Sequence, residues 1–175
     1  MGIVEAPNKD GSPSQYRALD EAIRTGQFIR NQALRYWMDN RGVNKNTLQT
    51  LCKTLAQEFP WAKKLNSQAR QAHADRAWQA IRRFYKNCRE GIKAVGYPKF
   101  KKHSRSVEYK TTGWKLSDDG MKFNLTDGLG AGWFSLYCNG EAREDILRCK
   151  INRVRMIKRA DGYYAQCRSQ ESARS

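Results

Sequence analysis

The heptapeptide Gly-Tyr-Pro-Lys-Phe-Lys-Lys at residues 96–102 divides the chain into two parts with different apolar periods. Before it, apolar residues recur every three or four positions, as on one face of a helix, and after it they alternate as in strands. Gly96 permits backbone angles that a side chain forbids. Pro98 fixes its own φ and biases Tyr97 towards an extended conformation. A helix must therefore end before this motif, and we expect an α+β protein.

The same motif has the composition of a nucleic-acid-binding segment. Lys99, Lys101 and Lys102 lie on an extended stretch that also carries the aromatic residues Tyr97 and Phe100. Cations that follow phosphates, beside rings that stack on bases, are what a groove for nucleic acid requires. A solvated basic linker, with its two rings packed on the core, accounts for the composition equally well. Both interpretations stay open at this point.

The net charge of the chain indicates a polyanionic partner. The 175 residues are enough for one substantial domain or two small ones, and they carry a formal charge of +16. Nucleic acid is the first candidate partner. A membrane surface is the second, although no apolar run approaches the length of a spanning helix. The N-terminus has no signal-peptide apolar region, so we expect no membrane partner and a cytoplasmic, nucleoid-associated protein.

The sequence offers no credible catalytic centre. Asp118 and Asp119 are adjacent, but they lie in a Ser-Asp-Asp-Gly turn, where Asp is favoured for its turn geometry. His73 is expected to be a surface or core histidine. The five cysteines are scattered without a Cys-x-x-Cys pair, and with only two histidines a zinc site is not expected. We therefore expect no cofactor, no metal and no enzymatic activity from this chain on its own.

The predicted elements divide the chain into five consecutive segments. Gly26 weakens the first helix, which leaves open whether it is one helix or two joined at a kink. Ser67 is predicted to cap the longest helix and Gly91 to end it. The segments are a first strand with its linker (1–13), a part with three helices (14–95), a basic linker (96–105), five or six antiparallel strands that suggest a small barrel (106–167) and a disordered tail (168–175).

Two further runs of cations adjoin these elements, one on the long helix and one on a late strand. A solvated charged face is the simple explanation for either run alone. Two such faces with few acids between them favour a groove for nucleic acid. The predicted contacts to the nucleic-acid backbone are Arg82, Arg83, Lys86, Arg89, Lys99, Lys101, Lys102, Arg105, Arg153 and Arg155, and the predicted stacking residues are Tyr97 and Phe100.

Three features follow one another in the chain: a long helix rich in Arg and aromatics, the motif Gly-aromatic-Pro-basic-Phe-Lys-Lys, and a series of strands. This order resembles the N-terminal half of proteins of the TnpB (OrfB-type) transposase family. The resemblance runs from about Ile3 to about Gln166. These transposon-encoded proteins are RNA-guided DNA endonucleases related to the type V CRISPR nucleases. The resemblance implies a wedge-like antiparallel β-barrel with a three-helix recognition bundle inserted after its first strand. It also implies a guide RNA and a double-stranded DNA target as partners.

The resemblance further implies a set of residues that bind a short DNA motif flanking the target. In the family, a Lys just before the long helix and a Gln in its first turn contact that motif. A polar residue soon after the basic segment and one from the middle helix also contribute. The corresponding residues here are Lys64, Gln68, Thr111 or Thr112, and Asn46 or Thr47.

The resemblance ends after Gln166, ahead of the RuvC-like nuclease domain, whose three acidic residues hold two metal ions in the family. It therefore implies binding without cleavage by this chain, and a separate nuclease-domain chain becomes a further candidate partner. Two hypotheses follow. The first is the recognition portion of a TnpB-like endonuclease. The alternative is a truncated or frameshifted remnant that binds nucleic acid only nonspecifically, and sequence-selective RNA binding distinguishes the two.

Overall fold

The structure, a computed structural model, describes residues 3–93 and 96–169 and has a mixed α+β fold. The fold class predicted from the change of apolar period is therefore confirmed. The elements are β1 (Ile3–Asn8), α1 (Pro13–Asp39), α2 (Lys45–Glu58), a 3-10 helix (Pro60–Lys64), α3 (Ser67–Arg89), β2 (Ser106–Tyr109), β3 (Trp114–Leu116), β4 (Lys122–Leu125), β5 (Gly132–Ser135), α4 (Gly140–Arg148), β6 (Ile151–Arg159) and β7 (Gly162–Ser169). Over the described residues, no helix is both long and apolar enough to cross a membrane.

The first helix, α1, begins one residue earlier than predicted and is continuous. Ser12 caps it, because its hydroxyl accepts the N–H of Gln15 at 3.2 Å and the Gln15 side chain accepts the N–H of Ser12 at 2.9 Å. Pro13 occupies the first helical position, where its missing N–H costs nothing. Gly26 lies inside this helix and does not divide it into two. A Cβ at Gly26 would lie 2.7 Å from the ring of His73, so glycine serves the close packing of α1 on α3.

The cap of α3 is Asn66, whose side chain accepts the N–H groups of Gln68 and Ala69. Ser67, the predicted cap, is instead the first residue of the helix. Asn and Ser are almost equally good caps, so their order in the sequence did not decide between them. The prediction that this is the longest helix was also wrong, since α1 has 27 residues and α3 has 23. Gly91 ends α3 as predicted, with φ 68°.

The strands form two antiparallel sheets, in the orders β1-β7-β6-β2 and β3-β4-β5. The first strand pairs with the last, from Ile3 opposite Arg168 to Asn8 opposite Tyr163. Within the described residues, these ladders do not close into the predicted barrel. After β2 the chain turns into the second sheet at Gly113, where φ is 91°. The segment after β5 contacts β1 through a hydrogen bond from the N–H of Tyr137 to the carbonyl of Pro7.

The helix α4 was missed by the sequence analysis. Two features of the sequence indicate this helix. Asn139 caps it by accepting the N–H of Ala142 at 2.8 Å, and an acidic residue near its start and a basic one near its end suit the helix dipole. Glu141 lies in the first turn and Arg148 in the last. Ile146 is its buried residue. Strand patterns on both sides of this short segment hid the helical one.

The last strand is longer than predicted. β7 continues to Ser169, so residues 168 and 169, assigned to a disordered tail, belong to the sheet. Arg168 pairs with Ile3 on one side and with Arg153 on the other. A polar strand end has no apolar alternation, and only its two neighbours define it as a strand. The rest of the predicted tail (170–175) lies outside the described residues, as do residues 94 and 95 of the predicted helical part.

Two apolar cores share the helices α1 and α3. The two sheets face each other over the first core, to which β6 contributes Val154 and Met156, so that Arg153 and Arg155 lie on the opposite face of that strand. Residues from the first halves of α1 and α3 complete this core, which contains Leu19, Ile23, Leu65, Ala69, Tyr109, Phe123 and Phe134. The second core lies among α1, α2 and α3 and contains Ile29, Leu34, Leu48, Leu55 and Ile81.

Candidate nucleic-acid interface

The basic segment (residues 96–105) is bound to α1 through its backbone. Arg30 donates from Nη1 to the carbonyl of Lys99 at 3.0 Å. Asn31 makes two bonds to Lys101, donating from Nδ2 to its carbonyl at 2.8 Å and accepting its N–H at Oδ1 at 2.9 Å. The side chain of Asn31 thus satisfies both polar groups of one backbone residue, much as a neighbouring strand would.

A third α1 residue, Gln27, accepts the N–H of Ser104 at 2.8 Å. The bonds leave the side chains of Lys99, Lys101 and Lys102 exposed. Residues 27, 30 and 31 follow the i, i+3, i+4 spacing that puts side chains on one helix face. The sequence analysis missed them because it located α1 by its apolar stripe. Three polar residues at that spacing were the available signal.

The two predicted stacking residues are in different environments. The ring of Tyr97 packs against Trp37 at 5.5 Å and Phe84 at 5.2 Å between centroids, yet Tyr97 remains 51% exposed. Trp37 is held by a hydrogen bond from Nε1 to the hydroxyl of Tyr85 at 2.7 Å. Phe100 is exposed and makes none of the ring contacts found among the described residues. Tyr97 therefore anchors the segment with one side of its ring, and stacking on bases stays a prediction for both.

Four of the predicted motif-binding residues meet at the start of α3. The hydroxyl of Thr111 donates to Oε1 of Gln68 at 2.7 Å, and that of Thr112 to Oδ1 of Asn66 at 3.3 Å. Lys64 is exposed at the end of the 3-10 helix, two residues before the cap. The loop after β2 and the start of α3 thus form one polar surface, which we call the α3 start. Asn66, the cap of α3, also belongs to this surface and was not among the predicted motif-binding residues.

A buried network holds the α3 start in place. Oδ2 of Asp127 accepts the N–H of Asn66 at 3.0 Å and the hydroxyl of Tyr109 at 2.8 Å. Burial raises the pKa of Asp127, while burial and the Asp127 carboxylate raise the pKa of the Tyr109 phenol. At Gly113 a Cβ would lie 2.8 Å from both Asn66 and Tyr109, so glycine allows the loop to pack this closely. These contacts join distant parts of the chain, and no local pattern marks them.

The predicted contact from the middle helix is not brought to this surface. Asn46 and Thr47 lie in the first turn of α2, where Thr47 takes part in the helix cap. Among the described residues, no hydrogen bond links either of them to the α3 start. Gln49 of α2 donates to Oδ1 of Asp75 at 3.2 Å, about two turns further along α3. Oδ2 of Asp75 in turn accepts a hydrogen bond from Nζ of Lys110 at 2.7 Å. Lys110 is the residue before Thr111.

Two of the predicted backbone contacts, Arg153 and Arg155, surround a buried carboxylate. Glu108 on β2 has a side chain that is 5% exposed, and it lies opposite Arg155 in the sheet. Arg153 reaches it at 3.4 Å, Arg155 at 3.3 Å and Arg76 of α3 at 3.9 Å. These arginines were predicted to contact the nucleic-acid backbone, and the structure shows that each of them also pairs with Glu108. Three guanidinium groups around one carboxylate still leave an excess of positive charge.

His73 is a buried core histidine, as expected. It is 2% exposed, and its Nε2 accepts the N–H of Glu108 at 3.1 Å. Burial, followed by the charges of Arg76, Arg155 and Arg30, holds its pKa well below the ordinary value of 6.5. The neutral imidazole is therefore the form that fits the fold.

This environment predicts a loss of stability on mild acidification. Between pH 7 and pH 5.5 the free energy of unfolding should fall by about 1 kcal/mol, because the unfolded chain protonates His73 near its ordinary pKa while the folded chain does not. Urea titrations across this range measure the change. The variant His73→Gln, whose amide oxygen accepts the same N–H, should lack this contribution. If the free energy of unfolding of the variant fell equally between pH 7 and pH 5.5, groups other than His73 would be responsible for the pH dependence.

The remaining predicted backbone contacts lie on α3 and on the basic segment. Arg82, Arg83, Lys86 and Arg89 are exposed on the second half of α3 and line a cleft of about 460 Å³. Arg105 is exposed at the end of the basic segment. The structure thus places these cations around the basic segment and the adjoining end of α3, and it leaves Arg153 and Arg155 paired beside them.

Comparison of the chain with protein-family models finds no match, and comparison with curated proteins finds none either. Across the described part of the chain, no three His, Cys, Asp or Glu side chains lie close enough to hold a metal ion. The resemblance to the TnpB family accordingly stays a prediction from the sequence motif and the order of the elements.

Proposed function

We propose that this chain binds nucleic acid as the recognition portion of a TnpB-like RNA-guided DNA endonuclease. It holds a guide RNA and reads a short motif beside the DNA target. The observation that carries the proposal is the basic segment, whose backbone is bonded to α1 while Lys99, Lys101 and Lys102 are exposed. A row of cations on a backbone already held in place loses less conformational entropy when it binds a strand of phosphates.

The order and pairing of the elements support the finer fold in this proposal. The helices α1 to α3 lie between β1 and β2 in the chain, whereas β1 pairs with β7. We interpret the three helices as the recognition bundle. The two sheets share one core and are bridged by the backbone bond from Tyr137 to Pro7 at 3.1 Å, and we interpret them as an incompletely bonded wedge-like barrel.

In this proposal the α3 start reads the DNA motif. Helix N-termini favour phosphate groups through their free N–H groups and dipole, and Lys64 stands beside that end of α3. Gln68, oriented by Thr111, presents an amide that can pair with an adenine edge. The proposal assigns binding to these residues and gives them no part in cleavage.

The test of the proposed function is selective RNA binding by the full chain. Hairpin RNA from the end of the transposon should compete out a labelled copy of itself better than a scrambled RNA of equal length at the same salt concentration. Equal competition by both RNAs would overturn the proposal and favour the remnant that binds only nonspecifically. Affinity alone decides nothing, because any chain of this charge binds polyanions.

The basic segment should dominate the salt dependence of this binding. Replacing Lys99, Lys101 and Lys102 together with Ala should reduce the slope of log K against log salt by about three, at roughly one unit per lost phosphate contact. The matched control replaces Lys45, Lys53 and Lys115, which are exposed elsewhere, and removes the same charge. Titrations at several salt concentrations measure both. A control that lowers the slope as much would show that net charge, and not the segment, is responsible.

A further inference from the structure

A second cleft, of about 500 Å³, lies where α3, the basic segment and β6 meet. We call it the arginine cleft. Of its lining residues, only Lys101, Arg83, Arg105 and Arg155 were among the predicted backbone contacts. Its cationic side chains are Arg30, Arg76, Arg83, Lys101, Arg105 and Arg155.

The arginine cleft carries more positive charge than its surroundings neutralise. Glu108 is the carboxylate bonded to Arg76 and Arg155, and it is shared with Arg153. Burial, and then the nearby arginines, lower the pKa of Arg76 to about 10, against the opposing effect of Glu108. The cleft therefore holds guanidinium groups at a cost that a bound anion would offset.

Two of the arginines that line the cleft carry buried hydrogen-bond donors without acceptors in the described part of the chain. Nη2 of Arg76 and Nε of Arg155 are buried, and neither has a hydrogen-bond partner within the described chain. A buried polar group without a partner costs free energy and calls for an explanation such as a bound ligand. Both donors belong to arginines that line the cleft. An acceptor that reached these donors would satisfy them, and the surrounding positive charge favours an anion.

We propose that the arginine cleft binds a phosphate group. A phosphate pairs with guanidinium through two oxygens, as a carboxylate does, and has further oxygens for a second arginine, whereas chloride offers no such paired geometry. Two sources can supply it, a free phosphate ion or a phosphodiester of a bound strand. The second source, a strand that passes along the basic segment, rests on the proposed function. The existence of the phosphate site does not depend on that function.

The variants for the test come from exposed arginines on two helices. Arg83 of α3 lines the arginine cleft, whereas Arg17 of α1 does not line it and is not among the predicted nucleic-acid contacts. Both are exposed, so replacement of either by Gln removes one charge without opening the core. Arg105→Gln provides a second cleft variant outside α3. Thermal unfolding followed by circular dichroism checks that each variant is folded as the wild type is.

The first measurement is calorimetric titration of the full chain with inorganic phosphate, at an ionic strength kept constant with sodium chloride. We expect saturable binding that weakens about tenfold in Arg83→Gln and in Arg105→Gln, the effect of one charge-assisted hydrogen bond. Arg17→Gln should bind within about twofold of the wild type. No saturable binding by the wild type, or an equal loss in Arg17→Gln, would overturn the proposal.

The second measurement repeats the series with the hairpin RNA. A parallel loss of RNA and phosphate affinity in the two cleft variants identifies the ligand as a phosphodiester of the strand. Phosphate binding with unchanged RNA affinity supports the site with free phosphate as its ligand. If the wild type binds RNA but not phosphate, the phosphate site is rejected and the proposed function is not. Loss of selective RNA binding alone rejects the proposed function and not the cleft.

Discussion

Replacement of Glu108 by Ala is expected to lower the free energy of unfolding by about 3 kcal/mol. The carboxylate is 5% exposed and bonded to Arg76, Arg153 and Arg155 across the contact between α3 and the first sheet. Without it, three partly buried guanidinium groups face one another with no opposite charge. Removal of one member of a buried ionic group costs more than the group itself contributes, because the remaining charges stay desolvated. Urea unfolding at pH 7 measures the loss.

The matched control for this prediction is Glu5→Ala. Glu5 pairs with Arg159 at the surface of the same sheet, where the two side chains are 36% and 45% exposed. An exposed pair contributes at most about 1 kcal/mol, so this variant should remain close to the wild type. The variant Glu108→Gln keeps an acceptor without the charge and should fall between the two. Similar losses for Glu108→Ala and Glu5→Ala would show that the arginines are well solvated without their partner.

Replacement of Gln68 by Ala is expected to weaken binding of a duplex with the correct flanking motif by about 1–3 kcal/mol. Oε1 of Gln68 already accepts the hydroxyl of Thr111, which fixes the side chain at the first turn of α3. The Gln68 carbonyl oxygen has a second lone pair and its amide N–H₂ is also available. The side chain can therefore still form a bidentate pair with adenine. Lys64→Ala should weaken both correct and scrambled duplexes, because a phosphate contact carries no sequence information.

The measurement is competition binding of the two duplexes with guide RNA present and salt held constant. The correct motif is first identified by selecting bound duplexes from a pool with randomised flanks. Gln57→Ala, at an exposed position of α2, is the control and should change neither affinity. Thr111→Val should weaken selectivity less than Gln68→Ala, since it removes only the orienting bond. Equal losses on both duplexes for Gln68→Ala would show that this residue does not read the DNA sequence.

The helices α1, α2 and α3 and most of the strands could be predicted from the sequence because their causes are local. The apolar stripe of α3 ends at Gly91, which takes the positive φ that glycine allows. The hairpin at residues 117–120 follows from its Asp and Gly residues, and β3 and β4 pair on either side of it. Such signals lie within a few residues of the element that they define. Where two local signals compete, as for the caps Asn66 and Ser67, the prediction was wrong by a residue.

The sequence by itself therefore determined the α+β class, the change of period at residues 96–102 and the charge that indicates a polyanionic partner. Only the tertiary structure decided that the strands form two sheets, that Asn31 and its neighbours hold the basic segment, and that Arg153 and Arg155 surround Glu108. It also joined Gln68 to Thr111 and gave Gly26 its role against His73. The reason is physical. A hydrogen bond or a close contact between residues far apart in the chain depends on both partners, and neither partner carries a local pattern that identifies the other.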